Sequence, residues 1–162
     1  RDRLKDGLTQ CKRNIEYLIG DADTLRRKGG SDWRAAALLI FAFEELAKYH
    51  ELKKAERCAT GNIVEVEEKL FRDHGYKQKI AKGLVPEGTT IFADEDIVRK
   101  GLPDSYPTKP VEVSPSQRTI FLFVDWDEDR REWTWGAPVL PDRFTTFAGA
   151  IQDALEKETA TP

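Results

Sequence analysis

Residues 35–48 read Ala35-Ala36-Ala37-Leu38-Leu39-Ile40-Phe41-Ala42-Phe43-Glu44-Glu45-Leu46-Ala47-Lys48, nine apolar residues that end on two carboxylates and a lysine. Helix formers fill the stretch, and its nine apolar residues cover every side of a helix. A helix apolar all round is enclosed by others, so this segment is expected at the centre of a helical bundle. Nine apolar residues fall far short of the roughly 20 that cross a membrane as a helix, so no membrane partner is expected. Glu44, Glu45 and Lys48 therefore enter the bundle where it should be oily, and buried charge is costly unless paired or used.

Outward from this run, the surrounding helix is expected from about Trp33 to Arg57, capped by Ser31 or Asp32. Before it, Leu4, Leu8, Cys11, Ile15, Leu18, Ile19, Ala22 and Leu25 recur on one face of a first helix from about Arg3 to Lys28. Arg26, Arg27 and Lys28 suit its last turn, and Gly29-Gly30 ends it. So short a connection makes the first two helices antiparallel neighbours. A third helix is expected from about Asn62 to Lys82, with Ile63, Val66, Leu70, His74, Lys77 and Ala81 stepping along one stripe. That stripe starts apolar and turns polar halfway, unlike an ordinary core face.

Past Gly83 the character changes. Pro86, Pro103, Pro107, Pro110 and Pro115 punctuate a stretch whose only short helical candidate is Asp94 to Lys100. A hairpin is expected next: Arg118 to Trp126, an acidic turn at Asp127-Glu128-Asp129, then Arg131 to Trp135. Ile120, Leu122, Val124 and Trp126 share one of its faces; Thr119, Phe121, Phe123 and Asp125 share the other. A lone hairpin is marginal, so this one should pack on the helices. A last helix from about Asp142 to Lys157 carries Phe144, Phe147, Ala148, Ile151, Ala154 and Leu155 on one stripe. The expected architecture is thus mainly α: an antiparallel helical bundle over residues 1–84, with residues 85–162 adding a Pro-punctuated linker, a β-hairpin and a final helix. At 162 residues the two parts are expected to form one domain.

Net charge is −3 overall, but residues 1–84 carry +4 and the remainder −7. The helical half could meet an anionic partner; a solvated helix surface has the same composition. Cys11 and Cys58 lie far apart and lack metal-ligand spacing, which fits free thiols in a cytoplasmic setting. Cys11 falls on an apolar face and reads as core. No signal-peptide pattern is visible; because the sequence begins at Arg1 and holds no methionine, an initiator residue is expected upstream.

The polar residues of the second and third helices form the candidate site. Glu44 and Lys48 are an i, i+4 pair, and Glu45 and Lys48 are i, i+3, which by itself describes a surface salt bridge. The apolar turns before them point instead to burial. Measured from Leu70, His74 lies roughly 40° around the helix and Lys77 roughly 20° the other way, while Arg72 points outward. A histidine on an apolar face is often a satisfied core residue; a lysine beside it needs a partner. Glu44 and Glu45 are the available partners, so Glu44, Glu45, Lys48, His74 and Lys77 are expected in one polar layer. Such a layer could fix helix register or bind an anion through its cations. It could also place His74 as general acid/base beside a carboxylate, with a lysine stabilising developing negative charge. Cleavage of RNA through its own 2′-hydroxyl needs such groups and no metal.

Other constellations carry less. His50 aligns with Leu39, Phe43 and Leu46 and reads as a packing histidine. Asn14 and Asp21 share a flank of the first helix and could support the layer at its edge. No Glu-x-x-His pair, Gly-rich phosphate loop or metal-ligand cluster is present, so no metal and no cofactor is expected. Trp126, Trp133 and Trp135 could stack bases, yet the acidic turn beside them favours packing.

Several segments together resemble the AbiV family of bacterial abortive-infection proteins, helical members of the HEPN superfamily. They are Gly7, Asn14 and Asp21-Ala22, then Arg34-Ala35-Ala36-Ala37-Leu38-Leu39. Ala42-Phe43-Glu44-Glu45-Leu46-Ala47-Lys48 and Phe71-Arg72-Asp73-His74-Gly75-Tyr76-Lys77 complete the set. The resemblance covers about residues 5–80, and Ala47 stands where the family usually has glycine. It implies an antiviral role in which the infected cell stops supporting phage growth, with a phage protein or other trigger as partner. It also implies a homodimer and, if the chain is an enzyme, a metal-independent endoribonuclease. The superfamily's usual arginine, with four to six residues between it and a histidine, is replaced: Lys69, Glu68 and Glu67 stand at those positions before His74, and Glu45, Glu44 and Phe43 before His50. Lys69 and Arg72 are then the expected RNA-contacting cations, although lysine lacks the two-pronged reach of arginine. The alternative is a non-catalytic helical interaction module in which the Glu/His/Lys layer is structural.

Overall fold

The computed structural model describes residues 2–29, 32–58, 68–89, 124–127, 132–135 and 141–160. It is mainly helical. Helix α1 spans Asp2–Arg27, α2 Asp32–Arg57, α3 Lys69–Arg72, α4 His74–Lys82 and α5 Pro141–Ala160. Strands β1 (Val124–Asp127) and β2 (Glu132–Trp135) pair antiparallel, with Trp126 opposite Trp133. Of the hairpin expected from sequence, Val124 to Asp127 and Glu132 to Trp135 are described and pair; Arg118 to Phe123 and residues 128–131 lie outside the described residues, as do the Asp94–Lys100 candidate and Ser31.

Helix α2 is the centre, with α1, α4 and α5 packed around it. Ala35, Ala36, Ala37, Leu39, Ile40, Ala42, Leu46 and Ala47 are fully enclosed, and Phe43, Tyr49, Leu52 and Ala55 are buried. The alanines let neighbouring backbones come close. Gly7 on α1 serves the same purpose, since a Cβ there would stand 3.4 Å from the Leu52 Cδ1 atom. From α1, Leu4, Leu8, Ile15 and Ala22 enter the core, flanked by Cys11, Leu18, Ile19 and Leu25. Helix α1 stops at Gly29, whose φ of 69° is left-handed and whose N–H donates to the Arg26 carbonyl at 3.2 Å.

Helix α5 lays Phe144, Phe147, Ile151, Ala154 and Leu155 on the bundle, with Ala148 partly covered. The Phe43 and Phe147 rings meet at 5.2 Å between centroids, tilted by 50°. One side chain pins three helix ends together. The Arg26 guanidinium lies 4.7 Å over the Phe144 ring, donates to Thr145 Oγ1 at 3.4 Å and stands 3.6 Å from the Asp32 carboxylate. At the far end, the Thr159 hydroxyl donates to the Leu155 carbonyl at 2.7 Å and lies 3.5 Å from the Tyr49 hydroxyl.

The third helix departs from expectation. Where one helix was expected from Asn62 to Lys82, the chain breaks at Asp73, which takes an extended conformation (φ −95°, ψ 109°) between α3 and α4. The Asp73 carboxylate accepts from the Tyr76 backbone N–H at 3.0 Å, so it caps α4. Leu70, buried, anchors α3. Residues 59–67 lie outside the described set. No helix among the described residues is long and apolar enough to cross a membrane.

Candidate functional site

The site forms where α4 crosses α2, and the cap on Asp73 sets its geometry. By starting α4 at His74, the cap turns the first inward-facing positions of that helix, His74, Lys77 and Gln78, toward α2. There they meet Glu44, which is 3% exposed. Its Oε2 atom receives the His74 Nδ1 atom at 2.6 Å and the Lys77 ammonium at 3.3 Å. Its Oε1 atom accepts from Gln78 Nε2 at 2.9 Å. Taking a carboxylate out of water costs several kcal/mol (roughly, per ion) unless charge and hydrogen bonds compensate. Lys77, with a side chain 4% exposed, supplies the opposite charge. Gln78 and His74 supply the remaining donors.

His74 differs from the other members of this group. Its side chain is 30% exposed, so the ring spans from the buried carboxylate to the surface. There it lines a shallow, open depression with Glu68, Lys69, Arg72 and Asp73. Arg72, 81% exposed, pairs with Glu68 at 3.0 Å, and the Lys69 ammonium sits 4.3 Å over the Tyr76 ring. An exposed pair such as Arg72–Glu68 holds together by about 0–1 kcal/mol, so the guanidinium can exchange its carboxylate for another anion.

The five residues expected in a single layer therefore have two sets of partners. Glu44, His74 and Lys77 come together on the α4 side. Glu45 pairs with Lys48 on the α1 side, next to Cys11. Glu44 and Glu45 sit about 100° apart on one helix, so consecutive carboxylates address different neighbours. Asn14 and Asp21 are exposed on α1, away from the buried Glu44. His50 packs less completely than expected. Its side chain is partly exposed between α2 and α5, with Nδ1 3.1 Å from Glu158 Oε1 but off the line of a hydrogen bond. Gln78 and Asp73 are the functional positions that sequence reasoning passed over. Gln78 lies four residues after His74 and three before the enclosed Ala81, a spacing that marks the inward face. Asp73 has the residue type and place of a helix cap.

Cys11 gains a defined environment from the Glu45–Lys48 pair. Burial first, then the Glu45 carboxylate, pushes its thiol up to about 11, while the Lys48 ammonium offsets part of the rise. Its preference for the folded state is complete below about pH 9, the ordinary thiol value, and is lost as the pH rises towards 11. At pH 8 only about one Cys11 thiol in a thousand is ionised. Iodoacetamide at that pH should modify the exposed Cys58 well before Cys11 in the native protein. Peptide mass spectrometry over time reads the two rates, and equal rates would contradict this environment. Among the described residues, no group of three or more His, Cys, Asp or Glu side chains could hold a metal ion.

No family model, curated protein or solved structure matches this chain.

Proposed function

We propose that the chain is an AbiV-like phage-defence protein of the HEPN type, cytoplasmic and homodimeric, that binds RNA at the His74 depression and cleaves it without a metal. The observation that supports this reading is the position of His74. Its Nδ1 edge rests on an enclosed carboxylate, and its ring reaches an open depression with Lys69 and Arg72 at the rim. A histidine so held can accept a proton from the ribose 2′-hydroxyl as that oxygen attacks the adjacent phosphorus. The bond to the 5′-oxygen breaks, and the imidazolium returns the proton to the leaving oxygen. Lys69 and Arg72 would hold the phosphodiester and offset its growing charge. In the same proposal residues 85–162, including the hairpin and α5, pack on the bundle as part of one domain, and a phage protein or other trigger raises a basal activity that the purified protein already has.

A second reading has its own support. Glu44, Lys77 and Gln78 are enclosed and bonded to each other, which suits a non-catalytic helical interaction module in which they only hold α4 on α2. Incubating the purified protein with RNA in EDTA separates the two. The proposal expects cleavage that His74→Ala abolishes, with the melting temperature lowered by no more than about 4 °C. Intact RNA with the wild-type protein, together with a strong fall in melting temperature for His74→Ala, would rule out the ribonuclease and leave the module.

A further inference from the structure

The sequence assigned Lys77 to the chemistry, as a cation facing developing charge, and overlooked Gln78. Their positions in the fold suit a different task. Neither side chain lines the depression; both point at Glu44 from the inner face of α4. Gln78 fixes Oε1, and Lys77 shares Oε2 with the histidine ring. A carboxylate free to turn about its last torsion could offer either oxygen, at any angle, to His74. Held by two donors on one helix, it presents a single acceptor position to Nδ1.

We propose that Lys77 and Gln78 are positioning residues: by holding both oxygens of Glu44, they keep neutral His74 as the Nδ1–H tautomer, with the Nε2 lone pair as its chemically active position. An ionised carboxylate only accepts, so a neutral ring at 2.6 Å must carry its proton on Nδ1. The other charged groups near the ring among the described residues are Glu68, Lys69, Arg72 and Asp73, two of each sign, around the depression. This inference rests on the reading of His74 as the reacting group, but its test needs no RNA.

The measurement is nuclear magnetic resonance on protein labelled with 15N at its two histidines, with His50→Gln assigning the signals. In its neutral form, wild-type His74 should show a protonated Nδ1 and an unprotonated Nε2, the tautomer that free histidine disfavours. Lys77→Met, which keeps the buried stem and removes the donor to Oε2, should leave a mixture of tautomers; Lys77→Arg should keep the wild-type one. Gln78→Met should leave a mixture of tautomers. A wild-type Nε2–H tautomer would overturn the proposal, as would an unmixed Nδ1–H tautomer in both folded Lys77→Met and folded Gln78→Met. If Lys77→Met does not fold, the wild-type tautomer and Gln78→Met decide alone. The outcomes separate from the RNA assay: an Nδ1–H signature without cleavage removes the ribonuclease and keeps the positioning role, and cleavage with an Nε2–H signature does the reverse.

Discussion

Glu44→Ala should lower the stability of the protein by about 3–5 kcal/mol, the range for breaking a buried ion pair from one side. The loss comes from what stays behind. Lys77 keeps its charge in a place where its side chain is 4% exposed, and the Gln78 amide loses its acceptor. Neither group reaches water without moving α4 off α2, and an unpartnered buried polar group adds its own desolvation cost of about 1–3 kcal/mol. Glu44→Gln should fall between, because an amide oxygen still accepts from one neighbour while the opposite charge is gone. The companion double variant, Glu44→Leu with Lys77→Met, should recover most of the loss, since a buried pair replaced by packed apolar groups is often neutral. Urea denaturation followed by circular dichroism gives all three values. A Glu44→Ala protein within about 1 kcal/mol of wild type would mean that the pair is more solvated than its geometry indicates.

The sequence made the bundle legible for a physical reason. The run from Ala35 to Phe43 offers no polar face to solvent, so only a central position satisfies it, and α2 occupies that position. The stripes of α1 and α5 carry a single apolar face each, and those faces settle on the centre as expected. Periodicity could not reveal the break at Asp73. Leu70 and His74 remain four residues apart and both turn inward, so the stripe survives a change of backbone direction that a capping carboxylate decides locally. The candidate site was legible in part for a related reason. A helix apolar all round says that Glu44 and Glu45 enter the interior, but it cannot say which neighbour each will meet. That depends on which face receives α1 and which receives α4, a matter of tertiary packing. Gln78 carries no charge and so gives no signal against the apolar stripe, while the geometry needs its neutral donor. Asn14 and Asp21 show the converse: shared flanks on one helix predict adjacency to each other, and nothing about the depth of either.

Phe43 stands one residue before Glu44 and faces α5 instead of α4, so the two consecutive residues can be separated experimentally. Phe43→Ala should cost about 3–5 kcal/mol, as for other large-to-small changes in a filled core. Phe147→Ala should cost a similar amount, because each ring is buried and each lies against the other at 5.2 Å. Combined, the two should cost less than their sum by about 0.5–1.5 kcal/mol, the coupling expected of a tilted aromatic pair. The local consequence differs from that of Glu44→Ala. With Phe147 truncated, α5 keeps Phe144, Ile151, Ala154 and Leu155 but loses its contact near the middle of α2. Hydrogen exchange across Pro141–Ala160 should therefore quicken more than exchange in α4. In Glu44→Ala the order reverses, with His74–Lys82 losing protection first. Strictly additive costs for the two phenylalanines, or equal loss of protection in α4 and α5 for both variants, would show that the helices around α2 come apart as one unit. Distinct responses would show that α2 supports two neighbours separately, one held by an aromatic contact and the other by a buried charge.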